Sequence, residues 1–397
     1  MRRLIRTYCW LVPGIIMLLS ACDDPRQEAM QVKSRPLRIV EPVHPPKDSS
    51  LDRIASYLCG EKPAPDVENL PEKNWETFSE KVDASWQELE KARLSVMDEW
   101  VSDYFTHQIR DSLPVFYPFS GPDFLHAFHL FPEAKDYILL AKEEIGKIPD
   151  FADLSAEENM QYLNYVNFFL RDIYKRSYFI TGRMQQDIGE GEFEGIMPVF
   201  YVFLHQTDHE ILQVEYLKID SSARARILTD SVWSGTEQGQ AVRFTIRKKH
   251  ADSPDVKSLT YLYCDISNEG FRNMPEIKRW LSRLDTCNTF VKSASYLMHY
   301  RTFSDIRNLV LNKSDAVFQD DTGIPFRHFD SKHWNITLFG AYQRPISDFG
   351  PYLMQHDLAA AFNDTSYQQR ELPFSIGYHW TDRKQNYMLA RKRLSDK

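Results

Sequence analysis

Glycine is scarce in this chain, and the short motifs that usually identify an enzyme are missing. Only 15 of the 397 residues are glycine, so a glycine-rich loop that cradles a nucleotide phosphate has little support. The patterns G-x-S-x-G and H-E-x-x-H do not occur, which removes the usual signatures of a serine nucleophile and of a zinc protease. No cofactor and no metal site is therefore predicted.

Long basic segments are also missing. The chain has 48 Lys and Arg against 56 Asp and Glu, a formal net charge of -8. Its basic runs, Lys248-Lys249 and Arg391-Lys392-Arg393, are short. Proteins that bind nucleic acid usually present a strong positive surface, so we expect no nucleic-acid partner.

Aromatic residues, by contrast, are plentiful. The sequence contains 25 Phe, 20 Tyr and 8 Trp, and 43% of its residues are hydrophobic. Such a composition can bury enough apolar surface to offset the entropy of ordering the chain. It predicts a folded protein with a sizeable core.

The first residues are typical of an export signal. Three arginines precede an apolar run, Tyr8–Leu19, which is too short for a transmembrane helix. The run ends in Leu19-Ser20-Ala21-Cys22, which resembles the lipobox of bacterial lipoproteins. The resemblance implies that residues 1–21 are a lipoprotein signal peptide and that the Cys22 thiol is acylated with fatty acids such as palmitate. The alternative is an ordinary signal peptide whose cleavage site contains a cysteine.

The residues after Cys22 predict where the protein resides. Residues 22–50 have few large apolar side chains and several prolines, as in a flexible tether. Asp23 resembles the signal that retains lipoproteins in the inner membrane of enteric-type bacteria. We therefore expect attachment to the periplasmic face of that membrane, with the outer membrane as the alternative. The expected partners are the membrane, through the anchor, and an envelope protein or glycan.

Three cysteines remain in the predicted mature domain: Cys59, Cys264 and Cys287. An exported protein resides where disulfides can form, but an odd number leaves at least one thiol free. Cys264 and Cys287 are the preferred pair, and the alternative is that they remain unpaired.

Residues 51–397 predict a single α+β domain. A helical N-terminal part, 51–190, is expected to pack on a mixed, largely antiparallel sheet formed by residues 191–397. Helices followed by a mixed part favour this class over a doubly wound parallel sheet. Apolar periodicity predicts helices at Leu51–Cys59, 76–105, 156–183, Pro275–Leu284, Thr289–His299, Phe303–Asn312 and Gly350–Phe362. It predicts strands at Ile211–Ile219, Val242–Arg247, Leu259–Ile266, Ala316–Gln319, Ile336–Tyr342, Phe374–Trp380 and Tyr387–Arg391.

Four segments resemble those of a group of uncharacterised bacterial proteins, many of them exported. The segments are Tyr117–Phe124, Lys292–His299, Gln319–Pro325 and Ser375–Trp380. The resemblance extends over about residues 115–393, which implies one domain there. No activity is established for this group, so the resemblance implies no catalytic residues.

The Tyr117–Asp123 loop is the first candidate binding site. Two prolines stiffen it, and Tyr117, Ser120 and Asp123 could hold a sugar or a peptide. The alternative is structural: a short helix, Phe124–Phe131, begins here, and Ser120 or Asp123 satisfies its free amides.

His126 and His129 follow Asp123 at intervals of three. This spacing places the three residues on nearly one helix face, where His and Asp could ligate zinc. The simpler interpretation is a half-exposed helix without a metal.

The Gln319–Pro325 loop is the second candidate site. Asp320 and Asp321 precede Thr322-Gly323, a combination that favours a turn in a strand hairpin. The functional alternative is a carboxylate pair for ligand binding, acid–base work or calcium.

Function is predicted only in outline. A membrane anchor combined with an aromatic-rich domain that lacks a catalytic motif favours a binding or envelope-associated lipoprotein rather than an enzyme. The alternative is a hydrolase of cell-wall or polysaccharide material that uses acids from the loops at 117–123 and 319–325.

Overall fold

The computed structural model describes residues 48–61, 72–179, 195–250, 255–380 and 385–393. The predicted signal peptide, Cys22 and nearly all of the predicted tether lie outside the described residues. None of the described helices is both long enough and apolar enough to cross a membrane.

Helices form largely where apolar stripes predict them. They are α1 Ser49–Leu58, α2 Glu72–Leu89, α3 Ser95–Trp100, α4 Phe124–Leu130, α5 Ala156–Arg176, α6 Met197–Gln206, α7 Asn268–Asn273, α8 Pro275–Ser282, α9 Ser304–Lys313 and α10 His356–Phe362. The predicted helix at 76–105 is confirmed. It consists of α2 and α3, which are joined by the π-helical turn Glu90–Leu94, and of a second π-helical turn, Val101–Phe105, after α3. The capping box expected of Ser155 and Glu158 is present at the start of α5.

The described strands form one sheet. They are β1 Val115–Pro118, β2 Asp136–Ala141, β3 His209–Ile219, β4 Ala225–Ile227, β5 Gln240–Lys248, β6 Val256–Tyr263, β7 Cys287–Val291, β8 Ser314–Gln319, β9 Trp334–Gly340, β10 Gln368–Arg370 and β11 Asn386–Lys392. Their spatial order is β10-β9-β11-β8-β7-β1-β2-β6-β5-β3-β4. The predicted α+β class with a mixed sheet is confirmed.

Five of the ten strand pairs in the described sheet are antiparallel, and they contain most of the paired residues. The central strands β8, β7, β1, β2 and β6 are all parallel to one another. Antiparallel pairing is confined to the flanks, where β5 pairs with β6 and β11 lies between β8 and β9. The parallel pairing at the centre of the sheet was not predicted, because β1 and β2 are short and lie within the part predicted to be helical.

Helices cover both faces of the sheet. Side chains of β1 alternate between two cores: Val115 and Tyr117 belong to the first, and Phe116 to the second. Helices α1 to α6 contribute to the first core, whereas α7 to α10 contribute to the second. The centre of the sheet is therefore buried on both sides, as parallel sheets usually are.

Two predicted elements are wrong. Thr289–His299 is not a helix, because residues up to Val291 form β7 and only Leu297–His299 make a helical turn. Phe374–Trp380 is not a strand; it is a loop with one short turn, Gly377–His379. In the first segment the apolar spacing comes from β7 and from buried side chains of the loop after it, and in the second it comes from side chains packed in a loop.

The expected disulfide between Cys264 and Cys287 is also wrong. Both thiols, and that of Cys59, are free and buried. Cys264 follows the carboxyl end of β6, whereas Cys287 begins β7. These strands are parallel, with β2 and β1 between them. The two cysteines therefore lie at opposite ends of the strands, one at the carboxyl ends and one at the amino ends.

Candidate ligand-binding site

Three loops meet at one edge of the sheet. Strands β1, β7 and β8 are parallel neighbours, so their carboxyl ends lie at the same edge. The next residues along the chain are Phe119, Lys292 and Asp320. In sheets of this kind ligands commonly bind at the carboxyl ends of the strands, and both candidate loops lie there.

A pocket of about 380 Å³ opens at this edge, which we call the edge pocket. It is lined by Tyr117, Phe119, Ser120, Gly121, Asp123, Arg176, Tyr178, Phe179, Lys292, Ser293, Ser295, Asp348, Phe349 and Tyr378. Its volume falls at the small end of the range for ligand pockets. Of the five predicted binding residues, Tyr117, Ser120 and Asp123 line it, whereas Asp320 and Asp321 do not.

A buried ion pair forms the floor of the edge pocket. Lys292 donates from Nζ to Oδ2 of Asp123 at 2.6 Å, and the two side chains are 2% and 1% exposed. The Tyr117 hydroxyl donates to the same carboxylate oxygen at 3.1 Å. The other oxygen accepts the amide N–H of His126, so Asp123 caps helix α4. The structural interpretation of Asp123 is thereby confirmed, and the ion pair adds a feature that the sequence did not indicate.

Proton equilibria in this cluster favour a fixed ion pair. Burial opposes ionisation of Asp123, but the neighbouring His126 and Lys292 hold its pKa below the ordinary range. Burial lowers the pKa of His126 to about 3, so its imidazole is neutral at pH 7. Burial also lowers the pKa of Lys292, although the carboxylate of Asp123 opposes the change. The cation that Asp123 faces is therefore Lys292.

Asp320 supports the loop that carries Lys292. Its Oδ2 accepts the amide N–H of Ser293 at 2.8 Å, and its Oδ1 accepts the amide N–H and the hydroxyl of Thr322. Burial raises the pKa of Asp320, and these hydrogen bonds counteract only part of that effect. The predicted turn is present, since Gly323 donates to the carbonyl of Asp320. It does not close a hairpin, because β11 lies between β8 and β9.

Asp321 lies beneath the site and contacts other groups. It accepts the Tyr296 hydroxyl at 2.5 Å and the Asn386 amide at 2.9 Å. Burial, reinforced by the charge of Asp320, raises the pKa of Asp321 to about 7. As expected for chain neighbours, Asp320 and Asp321 have different partners.

Unusual backbone conformations are concentrated around the edge pocket. Of the eight non-glycine residues with positive φ in the described part, five are in its loops: Phe119, Ser177, Ser293, Ser295 and Tyr296. Such conformations cost of order 1–3 kcal/mol each and tend to gather at functional sites. This concentration is independent of the pocket's shape and supports the same location.

Gly377 lies where three side-chain oxygen atoms converge. A β-carbon at this residue would lie 3.0 Å from the Tyr387 hydroxyl, 3.1 Å from Oδ2 of Asp320 and 3.2 Å from Oγ of Ser293. The hydroxyls of Ser293 and Tyr387 have no hydrogen-bond partner among the described residues. Gly377 is itself held by Ser177, whose Oγ accepts its amide N–H at 2.6 Å.

The zinc alternative finds no support in the positions of the histidines. Nδ1 of His126 lies 2.8 Å from Asp123, whereas Nδ1 of His129 lies 2.6 Å from Asp98. Within the described ranges, no group of three or more His, Cys, Asp or Glu side chains is arranged to hold a metal ion.

Sequence reasoning missed much of the edge pocket. Lys292, Ser293 and Ser295 lie in the segment predicted as a helix, and Tyr378 lies in the segment predicted as a strand. Both segments are among the four for which we expect a resemblance to an uncharacterised bacterial group. Segments of all four meet at this edge, so that expectation was the signal in the sequence that could have located the site.

No protein-family profile matches the chain, and neither a curated protein nor a solved structure was found to be similar to it.

Proposed function

We propose that this chain is a membrane-anchored extracytoplasmic lipoprotein whose α+β domain binds a small polar ligand in the edge pocket. The observation that carries the binding role is the position of the pocket. It lies at the carboxyl ends of parallel strands, where the loops after β1 and β7 line it and the loop after β8 supports it from beneath. The concentration of strained backbone in the same loops supports this assignment.

The anchor is supported by sequence alone. Leu19-Ser20-Ala21-Cys22 follows a basic and then apolar start, and the proline-containing tether would hold the domain away from the bilayer. Two or three acyl chains give stable attachment where a single chain does not. The domain would then meet ligands or envelope partners outside the cytoplasm.

Binding is favoured over hydrolysis by the state of the carboxyl groups. A pair of hydrolytic acids needs both groups at the substrate, with one able to exchange a proton. Asp123 lines the edge pocket but is paired with Lys292 and has a lowered pKa. Asp321 has a raised pKa but is hydrogen-bonded beneath the site. The proposed ligand is therefore bound without cleavage by these acids.

A thermal-unfolding screen tests the binding role. The full chain is mixed with polar metabolites of several classes: sugars, amino acids, short peptides, nucleosides and organic acids. A ligand that binds the folded state raises the unfolding temperature. We expect that the shift disappears in Tyr378→Ala, which removes an aromatic side chain from the pocket wall.

Tyr352→Ala is the matched control, because Tyr352 is 74% exposed and is not part of the pocket lining. This variant should keep the ligand-induced shift. If no class of compound raises the unfolding temperature, or if the shifts survive Tyr378→Ala, the assignment of the binding site is wrong.

A further inference from the structure

We infer that the ligand of the edge pocket is a neutral saccharide, recognised by an aromatic wall and by serine hydroxyl groups of the lining. This inference rests on the proposed function and specifies its ligand class. Three features of the pocket carry it: its charge balance, its aromatic side chains and its serine hydroxyls.

The charges of the described lining cancel. Arg176 and Lys292 are its cations, and Asp123 and Asp348 are its anions. Lys292 is neutralised by Asp123, and Nε of Arg176 lies 3.4 Å from Asp172 on the same helix. Asp348, the remaining anion, is exposed to solvent. A phosphorylated or carboxylated ligand would need an uncompensated cation, since a buried charge is costly unless it is paired. The lining is therefore suited to an uncharged ligand.

Half-buried aromatic rings form one wall. The ring of Tyr378 contacts those of Tyr178 and Phe349, with centroid distances of 4.7 and 5.4 Å and interplanar angles of 67° and 57°. The Tyr378 hydroxyl is fixed at 2.8 Å from the Ser295 hydroxyl. Such rings combine a large apolar surface with a polar end. The apolar C–H face of a sugar ring can pack against them while its hydroxyls point elsewhere.

Hydroxyl groups supply the polar contacts. Ser120, Ser293 and Ser295 line the pocket, and each hydroxyl can both donate and accept a hydrogen bond. The Oγ of Ser293 has no partner among the described residues. A sugar hydroxyl that reached it would satisfy a group that otherwise costs free energy to bury.

A glycan array tests the ligand class. The labelled full chain, in a detergent without sugar headgroups, is applied to neutral, acidic and amino saccharides. We expect binding to neutral members, confirmed by calorimetry with the free mono- or disaccharide. Loss of a hydrogen bond to a lining hydroxyl should weaken binding about tenfold in Ser293→Ala and in Ser120→Ala. Ser331→Ala, at an exposed serine outside the lining, should bind as the wild type does.

Unfolding temperatures of all variants separate a loss of binding from a loss of fold. Ser120→Ala removes a different lining hydroxyl, so it tests the inference if Ser293→Ala is destabilised. Selective binding of acidic glycans, binding of peptides or free amino acids without saccharides, or unchanged affinity in both variants would overturn the saccharide inference. If a peptide binds the wild type but not Tyr378→Ala, the proposed pocket is supported and only the saccharide inference is wrong. If no class of compound binds, both proposals are wrong.

Discussion

The Lys292 ammonium lies 2.6 Å from the Asp123 carboxylate, with almost no solvent contact for either side chain. This contact joins the residue after β7 to the cap of α4, so it ties together two loops of the edge pocket. A buried ion pair adds little net stability compared with apolar replacements, but a broken one leaves an uncompensated charge. The pair therefore fixes geometry more than it stabilises the fold.

Lys292→Met should destabilise the protein strongly, because it leaves the Asp123 carboxylate buried without its cation. We expect a loss of about 3–5 kcal/mol in the free energy of unfolding, measured in urea. The double variant Lys292→Met/Asp123→Asn should recover part of this loss, since the unpaired charge is gone. Lys332→Met, at an exposed position, is the control. Additive effects of the two substitutions would contradict the coupling.

Asp321 should make stability depend on pH in an identifiable direction. Its folded-state pKa is raised from 3.8 to about 7, so its favourable contribution is complete below pH 4 and is lost as the pH rises towards 7. The slope is at most about 1.4 kcal/mol per pH unit. Relative to wild type, Asp321→Asn should therefore become more stable as the pH rises through this window.

Chemical denaturation at several pH values measures this difference. Buried neutral histidines, such as His126 with its pKa lowered to about 3, also make the protein less stable as the pH falls. This effect is the same in the variant and in the wild type, so it cancels in the difference between their free energies of unfolding. Asp153→Asn, at an exposed residue, should show no such trend. A constant difference between Asp321→Asn and wild type from pH 4 to 7 would show that Asp321 is ionised throughout.

The three free thiols should be unreactive in the folded protein. Cys59, Cys264 and Cys287 are all buried, and burial raises the pKa of Cys287 to about 12. Because the thiolate is the reacting form, iodoacetamide at pH 8 should label none of them until urea is added, after which mass spectrometry should find all three labelled. A disulfide-linked peptide containing Cys264 and Cys287 would contradict the structure.

Cys22→Ser should abolish lipidation, because the thiol is the proposed acceptor of the acyl group. In cells fed a labelled fatty acid, the variant should remain unlabelled and should keep its leader. Cys9→Ser, within the same leader, should be labelled normally. Undiminished labelling of the Cys22 variant would refute the lipobox.

Elements with a strong local signal were predictable from the sequence. The period-two alternation of Val242–Arg247 lies within β5, and the loop that follows does join an antiparallel pair, β5 and β6. The capping residues of α5 marked the start of that helix. In these cases local pattern and tertiary packing agree.

The site was less predictable, because its geometry depends on distant contacts. Lys292 carries no local sign that its partner is Asp123, far earlier in the chain. Strand β1 spans only Val115–Pro118, too short for periodicity to reveal it. The strained residues of the Lys292–Tyr296 segment follow from anchoring by Asp320 and Thr322, which no local propensity can encode.

The position of β11 has a consequence for how the polypeptide assembles. Although β11 is last in chain order among the described strands, it pairs with β8 on one side and β9 on the other. While the chain is synthesised or exported from its N-terminus, the edges of β8 and β9 that face each other stay unpaired until β11 is available. Because long-range pairing of this kind slows folding, the sheet closes only when Asn386–Lys392 has emerged. A nascent chain stalled before that point would expose two unpaired strand edges, which are prone to association.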